Sequence, residues 1–125
     1  MLNLDTDVLL HALGGRLTPR ERSALEGDTW SISAIVLWEI AKLAELGRIA
    51  IDLDDRALTR VLARIHVWPL TLDVCRAIRS LDFRSDPADE IIAATSLVHG
   101  IPLVTRDARM RRSRLVPLAV PTGRL

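Results

Sequence analysis

The sequence predicts an α/β fold in which a mainly parallel central sheet is flanked by helices. Short apolar segments, which are strand candidates, alternate along the chain with longer segments of helical periodicity. Strands that are separated by helices pair mostly in parallel. The chain has 125 residues and contains no internal repeat or linker-like stretch, so we expect one domain over residues 1–125.

The composition excludes several classes of protein. The chain is 49% hydrophobic and 26% charged, which is too apolar for a disordered protein. No apolar run approaches the roughly 18 residues of a membrane span, and the N-terminus lacks the pattern of a signal peptide. We therefore expect a cytoplasmic protein with no membrane partner. The single cysteine, Cys75, rules out an internal disulfide framework.

The first elements follow from periodicity. Residues 2–5 form a predicted strand and residues 7–13 a helix. Residues 29–33 form a second strand, and residues 34–46 form a strongly periodic helix that Gly47 closes.

Another helix is predicted from the residue types at its two ends. Thr18 stands at the cap, Pro19 at the first helical position and Glu21 three residues after the cap, which is the usual signature of a helix start. Gly27 ends this helix.

The C-terminal half continues the alternation of helices and strands. Its predicted elements are a helix capped by Asp54 and ending near residue 65, an extended segment at 67–70, a helix capped by Thr71 and ending near 81, a helix from 86 to 99 ended by Gly100, and strands at 102–105 and 115–120.

Glu39 is the most informative single residue. Four-residue steps place its carboxylate on the same helix stripe as Ile35 and Leu43, whereas Lys42 and Glu45 lie on another face. Burying an unpartnered ion costs several kcal/mol. Glu39 should therefore meet a metal ion, an arginine or a polar crevice.

Further acids stand at the ends of predicted elements. Asp5 ends the first strand and Asp107 follows the strand at 102–105, so both lie beyond the carboxyl ends of strands, where ligands bind in parallel sheets. Turn formation or helix capping would explain each of them singly.

Asp86 and Asp89 open a helix, where capping and the helix dipole favour acids. Capping does not explain why separate elements carry acids at ends that the fold would bring together. Clustered carboxylates repel one another, and a divalent cation is the usual remedy. Oxygen-only ligands select a hard ion, Mg²⁺ or Mn²⁺.

Basic residues accumulate near the C-terminus. From Ile101 onward six arginines face one aspartate, although the formal net charge of the chain is only +1. A phosphate-bearing partner fits this distribution, and so does a solvated arginine-rich face.

Aromatic residues make up 3% of the chain, so extensive base stacking is not expected. Trp30, Trp38 and Trp68 lie in apolar segments and are expected in the core.

Four segments in order resemble the PIN-domain ribonucleases, and especially the VapC-type toxins of toxin–antitoxin pairs. They are residues 4–9 (LDTDVL), 38–40 (WEI), 86–95 (DPADEIIAAT) and 103–107 (LVTRD). The resemblance extends over nearly the whole chain. It implies a PIN-like three-layer fold, usually in a homodimer, that hydrolyses RNA phosphodiester bonds with the help of Mg²⁺ or Mn²⁺.

Carried over by position, the resemblance makes Asp5, Glu39, Asp89 and Asp107 the catalytic and metal-binding quartet. It also implies a small VapB-type antitoxin whose tail crosses the acidic groove and offers a basic residue to the carboxylates. The residues expected to support the quartet are Asp86, Thr105, Thr6 and Asp7, and those expected to contact RNA are Arg106, Arg109, Arg111 and Arg112.

Departures from the family pattern leave the number of metal ions open. Asp7 stands where histidine or a small polar residue is commoner, and Glu90 stands where arginine is frequent.

One alternative function is an inactive PIN-like binding protein, against which the presence of all four acids argues. The other is a phospho-acceptor receiver domain. That class needs a lysine late in the chain, whereas the only lysine, Lys42, lies in the middle of a predicted helix.

Overall fold

The structure, a computed structural model, describes residues 1–119. Its four strands form one sheet in the order β3-β2-β1-β4, and every pairing is parallel. The predicted α/β class with a parallel sheet is confirmed. The strands are β1 (Leu2–Leu4), β2 (Trp30–Ser33), β3 (His66–Trp68) and β4 (Leu103–Val104).

Seven helices flank the sheet in the described part of the chain, and a 3₁₀ turn at Ile78–Ser80 follows the fifth of them. They are α1 (Thr6–Leu13), α2 (Pro19–Glu26), α3 (Ala34–Glu45), α4 (Arg56–Leu62), α5 (Leu72–Ala77), α6 (Pro87–His99) and α7 (Ala108–Arg111).

Strand register decides which residues share the carboxyl edge of the sheet. Asn3 of β1 pairs with Ser31 on one side and with Leu103 on the other, and Leu4 pairs with Val104. The residues that follow β1 and β4 therefore leave the sheet side by side. This edge is where parallel α/β folds place their ligand sites.

The start of α2 forms as the sequence predicts. The Thr18 side chain accepts a hydrogen bond from the Glu21 amide at 3.2 Å, and the Glu21 carboxylate accepts one from the Thr18 amide at 2.8 Å. This reciprocal arrangement is a capping box, with Pro19 in the first turn. Gly27 caps the other end, also as predicted.

Helix α6 is held against the centre of the sheet by a buried asparagine. The Asn3 amide donates to the Ile92 carbonyl at 3.1 Å and to the Ser96 hydroxyl at 2.9 Å. Gly100 ends the helix in the left-handed conformation, with φ of 65°. These contacts fix the axis of α6 and hence the position of its N-terminus at the carboxyl edge of the sheet.

The core lies between the sheet and the helices. Leu4, Ile32 and Leu103 come from three neighbouring strands and are almost inaccessible to solvent, and Ile92 of α6 packs with them. Burying side chains of this kind stabilises the fold by about 1.5–3 kcal/mol each.

Several predicted boundaries are wrong by a few residues. Asp55, not Asp54, caps α4, because the Asp55 carboxylate accepts a hydrogen bond from the Ala57 amide at 2.9 Å. The helix ends at Leu62, because Ile65 is buried and the residues after it pair with β2. Helix α5 ends at Ala77 and tightens into the 3₁₀ turn.

The predicted strand at 115–120 is also wrong within the described residues, where Leu118 forms only an isolated bridge with Leu103. Pro117 has no amide hydrogen to donate to a ladder, which limits pairing. Val120 lies outside the described residues. The short helix α7 was not predicted.

The expectation of a core position is wrong for Trp38, which is 56% exposed. The buried residues of α3 are Val36 and Ile40, and a residue two positions from each lies on the opposite face of a helix. Trp30 does pack against the core, and its indole donates to the Leu25 carbonyl at 2.9 Å.

Across residues 1–119, none of the helices combines the length and the apolar character that a bilayer span requires.

Candidate active site

Asp5 lies at the centre of the acidic site, at the end of β1. It is buried, and each of its oxygens has a donor: the Thr6 amide at 2.8 Å and the Thr105 hydroxyl at 2.7 Å. Burial raises the pKa of this carboxyl to about 7, and the nearby negative charges of Asp89 and Glu39 add to the rise, although the two hydrogen bonds oppose it. A carboxyl in this environment favours a positive charge beside it.

Glu39 reaches the same site from α3. It is half-buried and accepts a hydrogen bond from the Thr6 hydroxyl. Burial raises its pKa, and the charges of Asp89 and Asp86 raise it further. Within residues 1–119 Glu39 forms no ion pair with an arginine or lysine. The observed partner of Glu39 is therefore the Thr6 hydroxyl and not an arginine.

The N-terminus of α6 contributes Asp89. Its carboxylate accepts a hydrogen bond from the Ser85 hydroxyl at 2.7 Å. Burial raises the pKa of Asp89, the charges of Asp107 and Asp86 add to the rise, and the positive charge of Arg109 opposes it. Ser85 was not predicted, because only the path of the loop before α6 brings it to the carboxylate.

Asp86 stands at the cap position of α6, yet its side chain makes no capping hydrogen bond. Its charge instead acts on Glu39 and Asp89. Helix capping therefore does not explain why an acid stands at position 86.

Asp107 follows β4 and does serve as a cap. Its carboxylate accepts from the Met110 amide at 3.1 Å, which starts α7, and its own amide donates to the Thr105 hydroxyl at 3.0 Å. Its charge reaches Asp89. Thr105 thus connects Asp107 to Asp5.

Asp7 has its partner on its own helix. It is exposed on α1, and its carboxylate lies 3.3 Å from the imidazole of His11. The structure therefore gathers Asp5, Glu39, Asp89 and Asp107, together with Asp86, Thr105 and Thr6, and leaves Asp7 outside the group.

The four arginines predicted to contact RNA have different surroundings. Arg106 makes two hydrogen bonds to the buried carboxylate of Glu21, at 2.5 and 2.6 Å. Arg109 donates to the Arg84 carbonyl at 3.2 Å and is close enough to Asp89 to influence its charge. Arg109 and Arg112, both exposed, line a cavity of about 140 Å³, and Arg111 is half-buried.

The chemical nature of the donor set fits a hard divalent cation. It consists of carboxylates, and burial together with the charges of neighbouring acids raises the pKa of Asp5, Glu39 and Asp89. Carboxylate oxygens suit Mg²⁺ or Mn²⁺ better than softer metals. The side chains are not drawn together as a finished coordination sphere: no three His, Cys, Asp or Glu side chains of residues 1–119 are close enough to hold a metal ion.

Comparison with known proteins assigns the family. The PIN-domain profile matches residues 3–114. The chain belongs to the PIN-domain family. This PIN domain is 35% identical over 104 residues to "Ribonuclease VapC22" of Mycobacterium tuberculosis (strain ATCC 25618 / H37Rv), with 79% of each chain covered. The receiver-domain alternative is thereby removed.

Two solved structures share the fold of this PIN domain. One is a toxin–antitoxin complex from Klebsiella pneumoniae, with a TM-score of 0.71, 20% identity and coverage of 97% of this chain and 99% of the other. The second is VapBC2 from Rickettsia felis bound to a DNA fragment from its promoter, with a TM-score of 0.71, 19% identity and coverage of 94% and 97%. The predicted PIN-like fold is confirmed.

Proposed function

We propose that this PIN domain is a divalent-metal-dependent endoribonuclease and the toxin of a type II toxin–antitoxin pair. The observation that carries the proposal is the group of acids at the carboxyl edge of the sheet. In this group Asp5 is buried and Glu39 is half-buried, and neither has an arginine or lysine partner among the described residues. The identity to a curated ribonuclease supports the choice of RNA as substrate.

Asp5, Glu39, Asp89 and Asp107 would hold Mg²⁺ or Mn²⁺. When bound, the cation supplies a lowered pKa for a water molecule and positive charge for the attacking and leaving oxygens of a phosphodiester. The chain supplies orientation. Thr105 fixes one oxygen of Asp5, Thr6 holds Glu39, and Ser85 holds Asp89. Fixed carboxylates lose little freedom when a cation binds, and this preorganisation is the protein's contribution to the reaction.

The RNA backbone would contact the arginines beside the acids. Arg109 is placed for this role, because it is close to Asp89 and shares a cavity with the exposed Arg112. Phosphate contacts of this kind make binding weaken with salt. Arg111 remains a candidate at the same end of the chain, whereas the guanidinium of Arg106 is directed to Glu21.

Two protein partners belong to the proposal. A VapB-type antitoxin is supported by the fold likeness to toxins that were solved in toxin–antitoxin complexes. A second copy of the chain is supported by apolar side chains at the surface of two helices that pack on α6. Trp38 of α3 is 56% exposed and Leu72 of α5 is 63% exposed.

We expect Trp38→Glu to shift the protein from dimer to monomer in size-exclusion chromatography with light scattering.

The experiment is RNA cleavage by purified protein with Mg²⁺ or Mn²⁺, with and without a chelator. Asp89→Asn keeps the size of the side chain and can still accept from Ser85, but it removes a charge from the site. We expect it to lower the cleavage rate by at least about 100-fold, because the loss of a metal ligand exceeds the 10–100-fold cost of losing a ligand's supporting group.

Asp73→Asn is the matched control. Asp73 is an exposed acid on α5 whose only ion-pair partner within residues 1–119 is Arg76, at 3.5 Å, so the rate should be unchanged. Equal cleavage by wild type and Asp89→Asn, or cleavage that survives the chelator, would reject the proposed mechanism. A well-folded wild type that cuts no RNA with either metal would favour an inactive binding protein.

A further inference from the structure

The pairing of Glu21 with Arg106 joins α2 to residues 105–107, the segment that follows β4 at the active site. Both oxygens of Glu21 accept from the guanidinium, at 2.5 and 2.6 Å, and the two residues are 85 positions apart in sequence. Glu21 is 3% exposed. Two-point contacts between a guanidinium and a carboxylate fix orientation as well as distance.

The cap of α2 does not require this pairing. Glu21 already accepts from the Thr18 amide, which completes the capping box. An uncharged glutamine serves a capping box as well. The charge of Glu21 is therefore directed at Arg106.

Arg106 lies between the two residues that place β4 in the active site. Thr105 donates to Asp5 at 2.7 Å and accepts from the Asp107 amide at 3.0 Å. The side chain of Arg106 extends instead to Glu21, and it also reaches the Arg16 carbonyl at 3.5 Å. The guanidinium of Arg106 is thus bound to α2 and to the loop before it, while the backbone of Arg106 belongs to the active site.

We propose that Arg106 and Glu21 are a positioning pair that holds the 105–107 segment in register with Asp5, and that Arg106 does not bind RNA. Nε and one terminal nitrogen of the guanidinium donate to Glu21, so the edge that would clamp a phosphate through these two nitrogens is already occupied by a carboxylate. The pair acts through Thr105 and Asp107, so its loss should alter catalysis rather than substrate binding. This inference rests on the proposed ribonuclease function.

The test compares Glu21→Gln and Arg106→Lys with wild type. Glutamine keeps the capping box but weakens the pair, and lysine keeps the charge but cannot make the two-point contact. We expect kcat to fall about 10–100-fold, the range for groups that support metal ligands. KM and the salt dependence of RNA binding should stay within about twofold of wild type, because no phosphate contact is lost.

Thr18→Ala is the matched control. It removes the other half of the capping box and leaves both partners of the pair in place, so it should lower the melting temperature without lowering kcat. If Glu21→Gln loses activity only in proportion to its unfolded fraction, as Thr18→Ala would, the pair is merely structural and the proposal fails.

A second readout is independent of cleavage. Hydrogen exchange of the Asp107 amide, which Thr105 protects, should accelerate in Glu21→Gln and not in Thr18→Ala. Unchanged exchange would reject the positioning role even if no RNA were cut. An Arg106→Lys variant with normal kcat and a raised KM would instead make Arg106 an RNA contact and leave the ribonuclease proposal intact.

Discussion

Two threonine hydroxyls organise the carboxylates of the site. Thr6 donates to Glu39, and Thr105 donates to Asp5 while accepting from the Asp107 amide. Each joins residues that are distant in sequence, 33 positions for the first pair and 100 for Thr105 and Asp5. The acids are therefore held by hydrogen bonds before any cation arrives.

Thr105→Val tests this role with a side chain of the same shape. The change removes the donor to Asp5, which raises the pKa of that carboxyl further, and it removes the acceptor of the Asp107 amide. We expect the rate of RNA cleavage to fall about 10–100-fold, as for other groups that orient metal ligands. The rate is measured well below the melting temperature, because a buried oxygen without a donor also costs about 1–3 kcal/mol of stability.

Thr95→Val provides the control. Thr95 is buried in α6 and donates to the Ile91 carbonyl at 2.8 Å, away from the acids. Its replacement should leave the rate unchanged. Equal losses in the two variants would show that a buried hydroxyl matters only for folding, and would contradict the proposed role of Thr105.

The sequence predicts some residues of the site better than others. Glu39 could be found because helical periodicity reveals which face a side chain occupies, and an acid on an apolar stripe needs an explanation. Ser85 and the partner of Glu21 could not, because no local pattern reports a contact that the tertiary path creates. Asp7 shows the limit of closeness in sequence: it stands two residues from Asp5, yet it is exposed and its observed partner is His11.

At the scale of elements, the N-terminus of α2 links pH to stability. The guanidinium of Arg106 lowers the pKa of Glu21 to about 2. Because the folded pKa lies below the ordinary value of 4.5, this contribution is fully present above about pH 5. It is lost as the pH falls toward 2.

Urea unfolding of wild type and Glu21→Gln at pH 6 and pH 3 measures this contribution. The pair should stabilise the wild type by about 1.5–3 kcal/mol at pH 6, the range for hydrogen bonds to charged groups. The difference between the two proteins should shrink at pH 3. Glu45→Gln, which disrupts an exposed pair with Lys42 at 3.7 Å, should show a smaller difference, within about 1 kcal/mol of wild type. A pH-independent difference for Glu21→Gln would contradict the account.

The C-terminus of α6 gives a prediction about backbone conformation. Gly100 has φ of 65°, and nothing lies within 4 Å of the position where a Cβ would be added. Gly100→Ala should therefore cost only the strain of the left-handed conformation, about 1–2 kcal/mol, seen as a fall in melting temperature of several degrees.

Gly27→Ala is its counterpart, since Gly27 has φ of −87° and equally open surroundings. It should be neutral or slightly stabilising. If both alanines destabilise the protein equally, something other than the sign of φ governs the ends of these helices.

Capping signals predicted the ends of the longer helices, but they did not suffice for the shortest helix. The capping box of α2 and the glycine after α6 have local causes and are found as predicted. Helix α7 has four residues, too few to show periodicity. The early end of α4 depends on β3 pairing with β2, which a local pattern does not reveal. The exposure of Trp38 depends on whether a partner covers α3.

At the scale of the whole molecule, topology brings the acids together. Parallel strands β1 and β4 deliver Asp5 and Asp107 to one edge of the sheet, and α3 and α6 begin at that edge with Glu39 and Asp89 in their early turns. The acids come from four separate elements of the chain. An unfolded chain would have no such site, so metal binding should stabilise the folded state.

The most direct measurement is a titration of the purified protein with Mn²⁺, followed by electron paramagnetic resonance without RNA or antitoxin. The wild type should bind Mn²⁺. The variants Asp5→Asn, Glu39→Gln, Asp89→Asn and Asp107→Asn should each bind at least about tenfold more weakly, because each removes a charged ligand from the same ion. Asp73→Asn should bind as the wild type does. If the four variants bind Mn²⁺ like the wild type, the acids do not form one cation site.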